Sequence, residues 1–66
     1  MTFTIHVTQL WENGQVGGEE SEQSFHNNEA VSVGPWLMNL ASSWIGMTGE
    51  DGVKCDALDI TLSKGD

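Results

Sequence analysis

Apolar and polar side chains alternate along residues 2–8 of the chain. Phe3, Ile5 and Val7 share one parity, and threonines and a histidine occupy the positions between them. Period-two alternation rich in β-branched residues is typical of a strand with one buried face. Leu10 and Trp11 continue the pattern out of phase, which predicts a bulge or the end of the strand at that point.

Two glycine-containing segments follow the first strand. The pair Asn13-Gly14 favours a two-residue type I′ hairpin, because both central residues of that turn need a positive φ. A second, weakly apolar strand is predicted over residues 20–26. We expect Gly17 and Gly18 to form a bulge or part of a longer loop before it.

The next predicted element is a helix. A start near Asn27 is disfavoured because Pro35 cannot occupy the interior of a regular helix. Gly34 as the N-cap and Pro35 as the first helical residue fit better. The apolar residues then recur at steps of three and four, which predicts about three helical turns that end near Gly46 or Gly49. These residues are Leu37, Leu40, Ala41, Trp44 and Ile45.

A final strand is predicted over residues 53–62, with a change of parity near Asp56 and Ala57 that indicates a bulge. The order strand, strand, helix, strand predicts a single α+β domain over residues 1–66. In this fold one helix packs on one face of a small, mostly antiparallel sheet of about three strands. We expect the helix to cover the sheet face that carries Phe3, Ile5, Val7, Leu58, Ile60 and Leu62.

Size and composition limit the function classes. The chain has 66 residues, and 38% of them are hydrophobic. This content is sufficient for one small core and excludes a disordered acidic tail.

Cys55 has no disulfide partner, and no targeting segment is visible, which together indicate a reducing cytoplasm. The uncharged residues 30–49 are interrupted by glycine and polar residues, so no membrane span is predicted. Self-association is our favoured source of additional stability, ahead of a structural metal.

No pattern of chemically active residues indicates catalysis or metal binding. His6, His26 and Cys55 are too far apart in sequence for the close ligand pairs of a zinc site. The acids near Asp51 do not follow the spacing of a calcium loop. Cys55 has no base on its own side of a predicted strand to activate it. We therefore predict a protein that is not an enzyme, with no catalytic residues, no metal and no cofactor.

Acidic charge is the most informative feature of the composition. The sequence contains ten Asp and Glu but only two Lys and no Arg, so its net charge is -8. This charge excludes direct binding to nucleic-acid phosphates. Solubility alone explains some of this charge, but self-repulsion also destabilises a small fold, which favours a partner of opposite sign. The candidate partner-binding residues are Glu12, Glu19, Glu20, Glu22, Glu29, Glu50, Asp51, Asp56 and Asp59, and Asp66 belongs to the same acidic set.

Spacing along the second strand supports that interpretation. Glu20 and Glu22 point the same way, about 6.6 Å apart, in an extended chain. This distance is comparable with that between successive phosphates of one nucleic-acid strand. A row of carboxylates with this spacing can occupy a Lys/Arg groove that otherwise holds DNA or RNA.

Two large apolar residues form a second candidate surface. Trp36 and Met38 lie off the predicted apolar stripe of the helix, whereas Trp44 fits it. Tryptophan and methionine are common at protein interfaces. The sequence equally allows all three tryptophans to fill the core, and both alternatives stay open at this point.

In size, acidity and element order the chain resembles the small anti-CRISPR proteins of phages and mobile elements. The resemblance implies an inhibitor in the cytoplasm of a host bacterium, whose acidic surface binds the basic nucleic-acid groove of a Cas effector as a DNA mimic. No membrane and no direct nucleic-acid contact are implied, and a homo-oligomer remains open. The alternative is a small phage structural or adaptor protein that self-associates through Trp36 and Met38.

Overall fold

Three antiparallel strands, one α-helix and one short 3-10 helix make up the structure, a computed structural model that describes residues 1–65; Asp66 lies outside the described residues. The central strand β1 pairs on one side with β2 and on the other with β3. The predicted α+β fold and its element order are confirmed. The elements are β1 (Thr2–Trp11), β2 (Val16–His26), a 3-10 helix (Asn27–Ser32), α1 (Val33–Trp44) and β3 (Cys55–Lys64).

The turn between β1 and β2 differs from the predicted type I′ hairpin. Gly14 has a φ of 90°, but Asn13 does not have a positive φ. The Gly14 N–H donates to the carbonyl of Trp11 at 2.8 Å, and the Asn13 side chain accepts the N–H of Gln15 at 3.1 Å. The predicted two-residue turn is therefore wrong. The observed loop has three residues and ends at Gly14, because only a glycine adopts this left-handed φ without a steric penalty.

Strand β2 is longer than predicted, and its bulge lies where the glycines indicated it. Val16 already pairs with Leu10, whereas the next paired residue, Glu20, lies opposite Thr8. Residues 17–19 thus lie opposite Gln9 alone, and Gly17 and Gly18 have φ of 142° and 94°. The predicted bulge is confirmed. Because the bulge contains the extra residues of β2, regular pairing with β1 continues from Glu20 onward.

Strand β3 runs from Cys55 to Lys64 rather than over residues 53–62. Leu10 pairs with Ala57 and Trp11 with Cys55, so Asp56 is the extra residue of a bulge. This confirms the predicted change of parity. The strand starts two residues later than predicted because Lys54 pairs with Thr48 in an isolated bridge instead of with β1, and Val53 precedes that bridge.

Helix α1 begins at Val33, one residue before the predicted N-cap, and ends at Trp44. The segment before it, predicted to be non-helical, is the 3-10 helix. Glu29 stabilises the start of the 3-10 helix, because its side chain accepts the backbone N–H of His26 at 2.8 Å. Pro35 lies in the first turn of α1. Backbone N–H groups in the first turn make no hydrogen bond within the helix, so the N–H that proline lacks is not needed there.

The core lies between α1 and the sheet. Ile5, Val7 and Phe25 are buried at its centre. Trp36 packs against Phe25 edge to face, with ring centroids 5.5 Å apart, so the apolar stripe of the helix is wider than the sequence spacing indicated. Residues of α1 that pack on the centre are Val33, Trp36, Leu37, Leu40 and Trp44.

Coverage of β3 by the helix is incomplete. Leu58 packs on the core as predicted. Ile60 and Leu62 share its face but stay 48% and 66% exposed, which corrects the expectation that the helix covers them. Helix α1 packs its apolar residues around Ile5, Val7 and Phe25, and Leu58 is the residue of β3 in that cluster. Over residues 1–65, the helices are too short and too polar to cross a membrane.

Candidate functional site: the acidic face of the sheet

Within residues 1–65, no helix or strand packs on the sheet face opposite α1, and the strand register gathers acidic side chains there. Thr8, on the central strand, pairs with Glu20 on one side and with Asp59 on the other. Its neighbour on the same face, His6, pairs with Glu22. Because directly paired residues of a sheet point to the same side, these carboxylates share one open surface. We call Glu20, Glu22 and Asp59 the acidic face.

Strand geometry fixes the spacing of the acidic face. Glu20 and Glu22 are two residues apart along β2, about 6.8 Å in an antiparallel strand. Glu20 and Asp59 are separated by the width of two strand spacings, about 9.6 Å. The backbone positions of the three acids therefore form a triangle that the hydrogen-bonded ladder fixes, and the exposed carboxylates extend from it.

One imidazole approaches this face. The Nε2 atom of His6 lies 3.8 Å from Oε1 of Glu20, and 71% of the Glu20 side chain is exposed. Contacts of this kind between exposed groups contribute little to stability, so Glu20 remains free to bind elsewhere. Lys64 pairs with Phe3 on the helix side of the sheet, and Lys54 lies before β3, in an isolated bridge to Thr48.

Three of the nine candidate acids stabilise turns instead. Glu12 accepts the backbone N–H of Lys54 at 3.2 Å, and Asp51 accepts that of Val53 at 3.1 Å. Glu29 accepts the N–H of His26, as described above. Glu12 and Asp51 thus hold loop segments and Glu29 holds the start of the 3-10 helix, at three different places in the chain.

The remaining three candidate acids are scattered. Strand alternation places Glu19 on the opposite side from Glu20. Asp56 occupies the β3 bulge, and Glu50 lines a shallow groove with Trp11 and Asp51. The structure thus brings together three of the nine predicted acids on one face and distributes the other six.

The predicted apolar pair Trp36 and Met38 does not form one surface. Trp36 is half-buried against Phe25, whereas Met38 is 67% exposed. The two residues are close in sequence but point to different sides of α1. Of the pair, Met38 is the residue available for contact.

His6, His26 and Cys55 lie at three separate places in the sheet, opposite Glu22, Thr2 and Trp11. Within the part of the chain that the structure describes, no three His, Cys, Asp or Glu side chains converge as metal ligands. Cys55 is buried at 1% exposure, and its Sγ atom lies 3.3 Å from the carbonyl of Ala57, to which the thiol donates.

Comparison with known proteins adds no relative. No protein-family model matches the chain. No curated protein matches it. No solved structure matches its fold.

Proposed function

We propose that this protein binds a basic, nucleic-acid-binding surface of another protein through its acidic face, in the place of nucleic-acid phosphates. The observation that carries the proposal is the convergence of Glu20, Glu22 and Asp59 on one open sheet face, with Lys64 on the other side of the sheet. The specific candidate partner, from the anti-CRISPR resemblance, is a Cas effector in a bacterial host, which the protein would inhibit as a DNA mimic.

The physical argument rests on preorganisation and charge. A hydrogen-bonded sheet holds the backbone of the three acids in place, so little backbone conformational entropy is lost when a Lys/Arg groove binds their carboxylates. The net charge of -8 attracts a basic partner over a distance and speeds the encounter. The same long-range attraction is screened by salt, so binding should weaken as ionic strength rises.

A triple substitution tests the acidic face. The variant E20Q/E22Q/D59N removes three charges while keeping the side-chain shapes. We expect it to lose between about threefold and about 150-fold in affinity, because each of the three charges contributes about 0.2–1 kcal/mol. The measurement is capture of partners from bacterial lysate by immobilised protein at low and high salt. Purified captured partner is then tested for competition between the protein and DNA.

The matched control is E19Q/E50Q/D51N. It changes the net charge by the same amount at positions off the acidic face. The amide that replaces the Asp51 carboxylate keeps an oxygen that can accept the Val53 N–H. Equal loss in both triples would show that total charge matters and that the face does not. Capture that is indifferent to salt, or a captured partner that still binds DNA at saturation, would contradict the proposal.

A further inference from the structure

The free edge of β3 carries an apolar row that α1 leaves uncovered. Ile60 and Leu62 face the helix side of the sheet, yet they remain 48% and 66% exposed. Leu58, two residues earlier, lies at the margin of the core. Exposed aliphatic side chains on an unpaired edge strand favour association with another strand.

The backbone of the same residues is also available. Gly65 donates its N–H to the carbonyl of Thr2 at 2.9 Å, so these two residues form a hydrogen-bonded pair of the β1–β3 ladder. Hydrogen-bonded and non-hydrogen-bonded pairs alternate along an antiparallel ladder. The N–H and C=O groups of Leu58, Ile60 and Leu62 therefore point away from β1, toward the free edge.

The opposite end of this edge is already paired. Cys55 accepts the N–H of Gly46 at 2.8 Å and donates its own N–H to the carbonyl of Met47 at 2.9 Å. The loop after α1 thus covers β3 at Cys55 and leaves the edge open from the bulge onward. The available segment is short and begins at the apolar row.

We propose that two copies of the chain pair through this free edge, antiparallel, about a two-fold axis at Ile60. The result is a six-stranded sheet. This axis places Ile60 opposite the partner's Ile60 and Leu58 opposite the partner's Leu62, all as hydrogen-bonded pairs on the helix side. The exposed apolar row of each copy is then covered by that of the other.

Charge selects this register over its neighbours. With the axis at Ile60, Asp59 lies opposite the partner's Thr61. An axis at residue 59 would set two Asp59 carboxylates directly opposite each other, which is destabilising. An axis at residue 61 would set Lys64 opposite the partner's Leu58, an apolar side chain instead of an acid. The favoured register also brings Lys64 to the end of the partner strand that carries an acid, Asp56.

Charge also selects β3 over β2, the other edge of the sheet. Three glutamates, Glu19, Glu20 and Glu22, lie along β2, and the strand contains no lysine. Two copies of this edge would bring like charges together. Strand β3 carries two acids and Lys64, and its central residues are apolar or hydroxylic.

This dimer goes beyond the proposed function and does not depend on it. A two-fold axis perpendicular to the sheet keeps both acidic faces on the same side, away from the two helices. The dimer therefore presents both acidic faces side by side. Loss of the dimer and loss of partner binding are separate measurements, made on different variants.

Sedimentation equilibrium tests the association. From about 10 µM to about 1 mM protein, we expect the mass to rise from 7.2 kDa toward twice that value. Ile60→Lys should weaken the dimer more than about tenfold, because the two-fold axis sets two lysines opposite each other. Thr61→Lys is the control, since it adds the same charge on the other sheet face, opposite the partner's Asp59, and should preserve the dimer. A wild-type chain that stays monomeric at the highest concentration would overturn the proposal.

Amide hydrogen exchange on the wild-type chain locates the contact. We expect the amides of Leu58, Ile60 and Leu62 to exchange freely in dilute protein and to become protected as the dimer forms. The amide of Thr61, which faces β1, should be protected at both concentrations. A dimer in which the three edge amides stay unprotected would place the contact elsewhere, for example around Met38, and would refute pairing through β3.

Discussion

Gln9 is a buried polar residue that holds three segments together. Only 1% of its surface is exposed. Its Oε1 atom accepts the backbone N–H of Glu19 at 2.8 Å, and its Nε2 atom lies 3.5 Å from the carbonyl of Trp44 and 3.3 Å from Sδ of Met47. Because the β2 bulge removes the strand partner of Glu19, the side chain of Gln9 substitutes for a backbone carbonyl.

Gln9→Leu should destabilise the protein by about 1 kcal/mol, because the hydrogen bond from the Glu19 N–H to the buried Gln9 side chain is lost. Urea unfolding measures this as a lower midpoint with an unchanged slope. Thr4→Val is the control, since it removes an exposed hydrogen bond to Ser24 from the same strand. If both variants unfold at the same urea concentration, Gln9 does not have the role described.

The bulge of β2 is the element-scale feature on which the sheet register depends. Gly18 has a φ of 94°, and a Cβ atom there would lie 2.7 Å from Oε1 of Gln9. Gly14 in the hairpin loop has a similar φ of 90° but nothing within 4 Å of a Cβ. The two glycines therefore share a backbone requirement and differ in their surroundings.

Gly18→Ala should destabilise the fold more than Gly14→Ala. The positive φ costs about 1–2 kcal/mol at either position. At Gly18 the added methyl group also displaces the Gln9 side chain from Glu19, which costs a further hydrogen bond of about 1 kcal/mol. Thermal unfolding of the two single variants compares them directly, and equal losses would argue against the contact.

The molecule as a whole carries a net charge of -8 on 66 residues. Repulsion among these charges opposes folding, whereas attraction to a basic partner favours binding. Salt screens both interactions, since the Debye length falls to about 10 Å at 0.1 M. Salt should therefore act in opposite directions on stability and on partner binding.

The unfolding temperature should rise between about 20 mM and about 300 mM NaCl, as screening relieves the repulsion. E20Q/E22Q/D59N should respond less, because three of the repelling charges are gone. Differential scanning calorimetry measures both proteins, with the concentration held low enough to avoid self-association. A wild-type unfolding temperature that falls with salt would indicate that the acidic charges stabilise the monomer.

Features that depend on a single element could be predicted from the sequence. The alternation of Phe3, Ile5 and Val7 identified the buried face of β1, and Gly17-Gly18 indicated a bulge or a longer loop, of which the bulge is observed. Local periodicity suffices in these cases, because the face of a strand or helix repeats along its own backbone. It also placed Glu20 and Glu22 on one side of a strand.

The alignment of the elements with one another emerged from the three-dimensional structure alone. Asp59 joins Glu20 across Thr8 because two independent pairings fix the register of β2 and β3 on β1. The exposure of Ile60 follows from where the single helix rests on the sheet. Periodicity gives each element a face but no position relative to another, and that position is set by long-range packing and pairing.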